Sequence, residues 1–232
     1  MASATELARL EGVQCRILER ISRLESYAQA QQQQENSHQD GEEKHKGDSS
    51  SVEEALTSLL RKSGVSTFQF KKVPADYYDR TLEERKDLLG AASIDHLCKS
   101  IVMVNTQAHE SVKDCSDFNN SKFYVVVIQY TARLNAEKVK NFVYSLNQGK
   151  IPKKRFNLRL APEDDAHRLT GYSYNAVTPI GMRTAIPLIL SDAILKLQPP
   201  FFWLGGGEVD LKLGLNAFEF VKKFNPFIVD CS

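Results

Sequence analysis

The spacing of apolar positions divides the chain into two regions that meet near residue 52. In the first region the apolar side chains recur every three or four residues, and charged residues flank them. These seam positions are Leu7, Leu10, Ile17, Ile21 and Leu24, with Gln14 filling the remaining one. This pattern predicts a coiled-coil-like helix over residues 1–28. An isolated helix of this length is marginal in water, so it needs a partner: another chain or its own globular domain.

A polar stretch follows over residues 29–51. It begins with the run Gln31–Gln34 and continues mainly in Glu, Lys, His, Gly and Ser. Because such a composition offers little apolar area to bury, we predict a disordered linker.

From residue 52 to residue 232 the pattern alternates between helical and extended periods. The capping box Thr81–Glu84 marks a helix that stops at Gly90, and Asn135 caps another. Helices are predicted at 52–61, 82–89, 136–146, 162–170, 192–197 and 217–223, and strands at 67–73, 95–104, 123–130, 185–190, 201–204 and 211–213. Their irregular order predicts a mixed α/β fold rather than a doubly wound parallel sheet.

Composition narrows the possible functions. The net charge of +1 gives no global attraction to nucleic acid, so a polyanion site requires a local basic patch. No apolar run approaches the ~20 residues that span a bilayer. The four cysteines show no paired metal spacing and fit reduced thiols. We therefore expect a cytoplasmic protein without a metal site.

One charged residue interrupts the buried stretch 95–104. Lys99 must either extend its ammonium to water or point into a wet functional cavity. On a strand, Lys99 and Ile101 face one way while Cys98, Ser100 and Val102 face the other. Cys98 is then a core residue; a nucleophilic role would require activation by His96.

Two glycine-bearing segments could supply walls for such a cavity. The first runs from Gly171 to Gly181 and includes Pro179, and its alternative interpretation is an ordinary turn. The second, Gly205–Gly207, follows an aromatic strand, and its backbone N–H groups are expected to be free to bind an oxyanion. Neither matches a nucleotide-binding loop, and serine-nucleophile and HExxH motifs are missing from the sequence, so no cofactor is expected.

Together these segments resemble the YbaK/prolyl-tRNA synthetase-associated domain family of aminoacyl-tRNA editing domains. The resemblance runs from about Val52 to Val221. It rests on Lys99-Ser100, on the loop with Gly171, Tyr172, Thr178, Pro179 and Gly181, and on the loop Gly205, Gly206 and Gly207. The chain departs from the family pattern at Gly205, where serine is common, and at Lys212, where an aspartate is frequent.

The resemblance implies a curved, partly barrel-like mixed sheet and hydrolysis of the ester that joins a wrong small amino acid to tRNA, often tRNA for proline. It implies catalytic roles for Lys99 and for backbone groups near Gly171, Gly181 and Gly205–Gly207, with Ser100, Tyr172, Thr178 and Pro179 binding substrate. The basic loop with Lys153, Lys154 and Arg155 could bind tRNA phosphates, or it could simply be solvated. The N-terminal helix would recruit a synthetase or another partner. The alternative is a non-catalytic editing fold that acts as a tRNA- or protein-binding adaptor.

Overall fold

A computed structural model describes residues 51–232 of the chain. The helix predicted over residues 1–28 and the linker predicted over 29–51 lie outside these residues, apart from Ser51. None of the helices in the described part has the length and apolar character that crossing a bilayer requires.

The described residues form five α-helices and eight strands. The helices are α1 (Val52–Lys62), α2 (Leu82–Leu89), α3 (Ala136–Leu146), α4 (Glu163–Thr170) and α5 (Ala217–Phe224). The strands are β1 (Phe68–Lys72), β2 (Cys98–Asn105), β3 (Phe123–Gln129), β4 (Leu158–Leu160), β5 (Leu188–Ser191), β6 (Phe201–Gly205), β7 (Leu211–Asn216) and β8 (Phe227–Val229). Short 3-10 helices occupy Ala75–Asp79, Ile94–His96, Phe118–Asn120, Lys153–Arg155 and Asp192–Lys196.

The strands form two sheets. One is antiparallel, in the order β1-β7-β6, and the other is mixed, in the order β4-β2-β3-β5-β8. Strands β3, β5 and β8 run parallel to one another, and a single bridge between Leu97 and Trp203 joins the two sheets. The predicted mixed α/β fold is confirmed.

Strand β3 explains why the sheet is buried on both faces. Tyr124, Val126 and Ile128 pack in one cluster with Val139 and Val143 of α3. The alternate residues Phe123, Val125 and Val127 belong to clusters on the opposite side. Because successive strand side chains point to opposite faces, a strand covered on both sides becomes a continuous apolar run.

The helix ends follow the signals in the sequence. The side chain of Thr81 accepts a hydrogen bond from the Glu84 N–H, and the Glu84 carboxylate accepts one from the Thr81 N–H. Helix α2 ends at Gly90, whose φ of 68° lies in the left-handed region that favours glycine. Two elements differ from the predictions. Strand β5 starts after Pro187, because proline lacks an N–H to donate. The segment predicted as a helix at 192–197 is a short 3-10 helix, Asp192–Lys196.

Glu219 of α5 anchors the chain between α1 and β1. Its carboxylate accepts hydrogen bonds from the backbone N–H of Ser66 at 2.7 Å and of Thr67 at 3.0 Å. It also accepts from their hydroxyl groups at 2.9 and 2.8 Å. These bonds to the charged form lower the pKa of Glu219 from 4.5 to about 2, the two backbone donors contributing most.

We predict that Glu219→Gln lowers the melting temperature at pH 7 by roughly 2–6 °C, because an amide accepts these four bonds less well than a carboxylate. The folded-state pKa lies below the ordinary value, so the stabilisation is complete above about pH 4.5 and is lost as the pH falls towards 2. Thermal unfolding of the two proteins across this range checks both points, with Glu110→Gln on an exposed loop as the matched control. The account would be contradicted if the difference in melting temperature between the two proteins stayed constant from pH 5 to pH 2.

Candidate functional site

A cavity of about 500 Å³ opens beside the first half of β2. Residues Cys98–Val102 form one wall, and residues between Tyr172 and Val177 contribute another. The remaining lining residues come from elsewhere in the chain: Tyr78, Tyr130, Leu160, Ala161, Glu163, Ala166 and Gly205. Segments far apart in sequence therefore converge on the strand that carries Lys99.

Four of the residues predicted for the site line this cavity: Lys99, Ser100, Tyr172 and Gly205. The others lie outside its lining. These are Gly171, Thr178, Pro179, Gly181, Gly206, Gly207, Lys153, Lys154 and Arg155. The structure thus brings the lysine strand together with one of the predicted site residues from each glycine-bearing segment, Tyr172 and Gly205.

The alternation expected along β2 fits the packing. Ile101 packs with the α3 cluster, whereas Cys98 and Val102 belong to clusters on the other side of the sheet. Lys99 is half-buried, and its Nζ lies 5.4 Å from the ring centroid of Tyr130, within range of a cation–π interaction. Its charge is therefore held at the cavity wall by an aromatic ring.

The backbone of Gly205 faces the side on which β2 runs. In the β6–β7 ladder the Gly206 N–H donates to Leu211 at 2.9 Å, and the Ala217 N–H donates to Pro200 at 2.9 Å. In an antiparallel pair of strands, residues that bond to the partner strand alternate with residues that do not. The even-numbered residues of β6 are therefore the ones that bond to β7. Trp203, an odd-numbered residue, agrees with this rule, because it forms a bridge with Leu97, the residue just before β2. The Gly205 N–H and C=O thus point away from β7, towards the cavity that Gly205 lines.

The expectation that the N–H groups of Gly205–Gly207 are free is wrong for two of the three. The Gly206 N–H donates to Leu211, and the Gly207 N–H donates to the Ala176 carbonyl at 3.0 Å. The Gly171 N–H donates to the His167 carbonyl at 2.7 Å. These donors already have partners in the fold, so in the loop Gly205–Gly207 the N–H that points towards the cavity is that of Gly205.

Gly205 is glycine because another loop approaches it closely. A Cβ built on it would lie 2.6 Å from the Val177 carbonyl oxygen and 3.0 Å from that of Ala176. Both contacts are to backbone, which cannot move aside as a flexible side chain can. The second glycine-bearing segment therefore packs directly against the first, and this departure from the family pattern belongs to the close packing of the site.

The segment between Gly171 and Gly181 is held by Tyr172. The Tyr172 hydroxyl donates to the Ile180 carbonyl at 2.7 Å, and a Cβ on Gly181 would lie 2.8 Å from that hydroxyl. Gly181 also has a φ of 71°. Both the close contact and the left-handed backbone therefore favour glycine at this position. The Thr178 side chain is fully buried beneath the same segment.

Three cations lie against a cluster of tyrosine rings, two of which, Tyr78 and Tyr130, line the cavity. The Arg85 guanidinium lies 5.4 Å from the centroids of Tyr77 and Tyr78 and 5.6 Å from that of Tyr130. Lys212 Nζ lies 4.8 Å from the Tyr77 ring and 4.4 Å from the Tyr78 ring. Together with Lys99, these groups place three positive charges around the tyrosine rings beside the cavity.

Lys212 is the most unusual of the three cations, since only 3% of its surface is exposed. It pairs across the ladder with Gly205. Its Nζ donates to the Tyr78 hydroxyl at 2.9 Å and to the Val209 carbonyl at 2.7 Å. Burial disfavours the charged ammonium and lowers the pKa of Lys212 from 10.5 to about 8.

Neither thiol nor metal chemistry finds support among the described residues. Cys98 is buried, and burial raises the pKa of its thiol. The His96 ring lies near Ser93 and Pro199, with Nδ1 2.8 Å from the Ser93 hydroxyl and Nε2 3.2 Å from the Pro199 carbonyl. Within residues 51–232 no cluster of three or more His, Cys, Asp or Glu side chains could hold a metal ion.

The basic segment lies on the surface. Lys153, Lys154 and Arg155 form a short exposed 3-10 helix after Pro152. Lys153 Nζ is 3.9 Å from a carboxylate oxygen of Glu137, which leaves most of the charge of this segment facing solvent.

Several residues that line the cavity were not predicted from the sequence, among them Tyr78, Tyr130, Tyr174 and Asn175. Lys212 stood out in the sequence only as a departure from the family pattern. The adjacent Tyr77-Tyr78 pair in an otherwise polar loop was the available signal. Its aromatic rings needed a partner, but the sequence does not show that the partner is a lysine 134 residues away.

Comparison with known proteins agrees with the fold. The sequence profile of the aminoacyl-tRNA editing domain family matches residues 79–223. No curated protein matches the chain in sequence.

Solved structures share the architecture at low sequence identity. One is a candidate trans-editing enzyme for prolyl-tRNA synthetase, with 20% identity and a TM-score of 0.60 over 80% of this chain and 99% of that one. A second comes from epitope grafting onto designed scaffold proteins, with 18% identity and a TM-score of 0.59 over 79% and 97% of the two chains. A third is a hypothetical protein with 22% identity and a TM-score of 0.57 over 76% and 97%.

The lowered pKa of Lys212 predicts a pH-dependent stability. Between about pH 8 and 10.5 the unfolded chain binds more protons at this residue than the folded chain, so the residue's contribution to stability rises with pH across that window. Chemical denaturation of the unsubstituted protein and of Lys212→Met from pH 7 to 10 measures it, since other groups cancel in the difference. We expect the unsubstituted protein to gain stability relative to Lys212→Met as the pH rises. A difference in the free energy of unfolding that does not change with pH would contradict the burial of a charged ammonium.

Proposed function

The chain belongs to the aminoacyl-tRNA editing domain family, and we propose that it is an aminoacyl-tRNA deacylase that hydrolyses the ester of mischarged small amino acids. The observation that carries the proposal is the cavity, which joins Lys99, Tyr172 and the backbone of Gly205 in one place. Similarity to the candidate trans-editing enzyme for prolyl-tRNA synthetase makes mischarged tRNA for proline the first substrate to test.

In the proposed mechanism the 3′ end of the tRNA enters the cavity beside β2. Lys99 holds the sugar or phosphate of the terminal nucleotide and so places the ester carbonyl next to Gly205. A compact ammonium suits this role, because its three donors can adapt to phosphate or ribose oxygens. The Tyr130 ring beside Lys99 Nζ limits the positions that the ammonium can take.

The ester is cleaved by water. A water oxygen attacks the carbonyl carbon and gives up a proton. The bond from that carbon to the ribose oxygen breaks, the proton passes to the ribose oxygen to make the free hydroxyl, and the amino acid leaves with its carboxyl group. The Gly205 N–H stabilises the negative charge that develops on the carbonyl oxygen, a contribution that is typically about 3 kcal/mol for one such donor in other hydrolases. Holding the ester next to a bound water removes much of the remaining entropic barrier.

Size restricts which amino acids are removed. The inner end of the cavity is closed by Tyr78, Tyr130 and Gly205. A small side chain fits against these groups, whereas a larger one would contact the rings. Such a sieve discriminates by exclusion, which is stronger against larger amino acids than against smaller ones.

The predicted N-terminal helix has a separate role in this proposal. Residues 1–28 would tether the enzyme to a synthetase or to a second copy of the chain, which brings the cavity close to newly charged tRNA. This tether is distinct from the chemistry of the cavity.

We predict that Lys99→Ala lowers kcat/KM for deacylation by roughly 10²- to 10³-fold, since the ester loses its positioning cation. The assay measures amino acid released from a panel of tRNAs mischarged with alanine, cysteine, serine or threonine. Lys222→Ala, an exposed lysine on α5 outside the cavity, is the matched control and should keep full activity.

Two outcomes would contradict the deacylase. Equal deacylation rates for Lys99→Ala and the unsubstituted protein would show that the Lys99 cavity is not where the ester is hydrolysed. Tight tRNA binding without release of any amino acid would instead favour the adaptor function.

We also predict that the basic segment binds tRNA phosphates. Replacement of Lys153, Lys154 and Arg155 by alanine should weaken tRNA binding and reduce the slope of log Kd against log salt by roughly 2 to 3, because about 0.7 to 0.9 counterions are released for each phosphate contact. Substitution of Arg61, Lys62 and Lys222 removes the same charge from elsewhere on the surface and serves as the control. An identical loss of slope in both variants would show a general charge effect and no local site.

A further inference from the structure

We propose that Tyr174 is a stacking platform for the base of the terminal nucleotide, with Leu160 contacting the same base. The inference rests on the proposed function, which brings an RNA 3′ end to this cavity, and it names the group that holds the base. Both side chains line the cavity, yet 69% of Tyr174 and 73% of Leu160 are exposed. Large apolar groups that are exposed and also line a cavity mark a place where a ligand can cover them.

The position of Tyr174 is fixed by its neighbours. Asn175 has a φ of 65°, in the left-handed region. Its carbonyl accepts a hydrogen bond from the Tyr78 hydroxyl at 2.5 Å, and that hydroxyl accepts one from Lys212 Nζ at 2.9 Å. The Ala176 N–H closes the turn by donating to the Ser173 carbonyl at 3.0 Å. The buried lysine therefore supports, through Tyr78, the turn that presents the exposed ring.

Leu160 is held just as firmly. It lies on β4, where it pairs with Met103 of β2. Strand β2 also carries Lys99, so the apolar contact and the cation lie on two paired strands of one sheet. A base between an aromatic ring and an aliphatic side chain, with its phosphate near an ammonium, is a common arrangement for single-stranded nucleic acids.

The charge and shape of the cavity favour a nucleotide base over other occupants. Lys99 lines the cavity, and two further cations, Arg85 and Lys212, lie against the Tyr78 ring that also lines it. The Tyr174 ring of the same lining is exposed to solvent. Among the exposed large apolar residues of the described part, Phe118, Phe218 and Ile228 lie outside this cavity lining. An exposed aromatic ring in the same cavity as the Lys99 ammonium fits a flat base that is joined to a phosphate.

The test compares two trinucleotides by NMR titration of the full-length protein: CCA, the sequence that ends tRNAs, and the same trinucleotide with an abasic 3′ position. Stacking of one base predicts that CCA binds about 5- to 150-fold more tightly, and that the ring resonances of Tyr174 shift on its addition. Tyr174→Ala should abolish the difference between the two ligands, and Tyr174→Phe should keep it, since the ring is retained.

Further variants test the parts separately. Leu160→Ala should reduce the difference in affinity between the two trinucleotides. Tyr78→Phe should also reduce it, although the Tyr174 ring is unchanged, because the Asn175 carbonyl loses its hydrogen-bond donor. Phe218→Ala on α5 removes an exposed aromatic ring outside the cavity and should change nothing.

The proposal is overturned if the unsubstituted protein does not distinguish the two trinucleotides, whether both bind equally or neither binds. It is also overturned if Tyr174→Ala distinguishes them as well as the unsubstituted protein does. Failure of the deacylase is a separate result. Base-dependent binding that requires Tyr174, without hydrolysis of any aminoacyl-tRNA, would leave the platform standing and reject the enzyme. Hydrolysis that requires Lys99, with base discrimination unchanged in Tyr174→Ala, would reject the platform alone.

Discussion

The candidate site depends on how the backbone of β6 divides its hydrogen bonds. Alternate residues bond to β7, and the residues between them face the side on which β2 runs. The two strands meet at the bridge between Leu97 and Trp203, and beyond that bridge Lys99 and Gly205 line a cavity instead of pairing. A backbone N–H and a lysine are thus presented to the same space by two rigid strands. Because Gly205 also lies against the carbonyls of Ala176 and Val177, its own lack of a side chain lets the walls of the cavity come together.

Charge is the second property of this end of the molecule. Three cations lie against three tyrosine rings, and the nearest supports of Lys212 are a hydroxyl and a carbonyl. An ammonium stabilised by neutral groups keeps its positive field, whereas one paired with a carboxylate is largely neutralised at a distance. Three positive charges therefore lie close together in and beside the cavity, even though the chain as a whole carries a net charge of only +1.

The parts of this structure that could be predicted are those fixed by local sequence. The apolar run of β3, the capping box at Thr81 and the stop at Gly90 each need only neighbouring residues. Strands β4 and β8 were missed because each has three residues and is defined by its partner. The glycine amides were misjudged for a similar reason: whether the Gly207 N–H is paired depends on the Ala176 carbonyl, which only the folded chain brings near. The site was found through Lys99, while Tyr78 and Lys212 were not linked, since nothing local joins them. The helix predicted over residues 1–28 stays a prediction.

The most direct test is a crystal structure of the protein with an analogue of the substrate in which an amide replaces the ester between the amino acid and the terminal adenosine. The account predicts that the carbonyl oxygen of the analogue lies within hydrogen-bonding distance of the Gly205 N–H, and that Lys99 Nζ contacts its phosphate or ribose. An analogue bound with its carbonyl away from Gly205, or bound outside the cavity beside β2, would contradict the account.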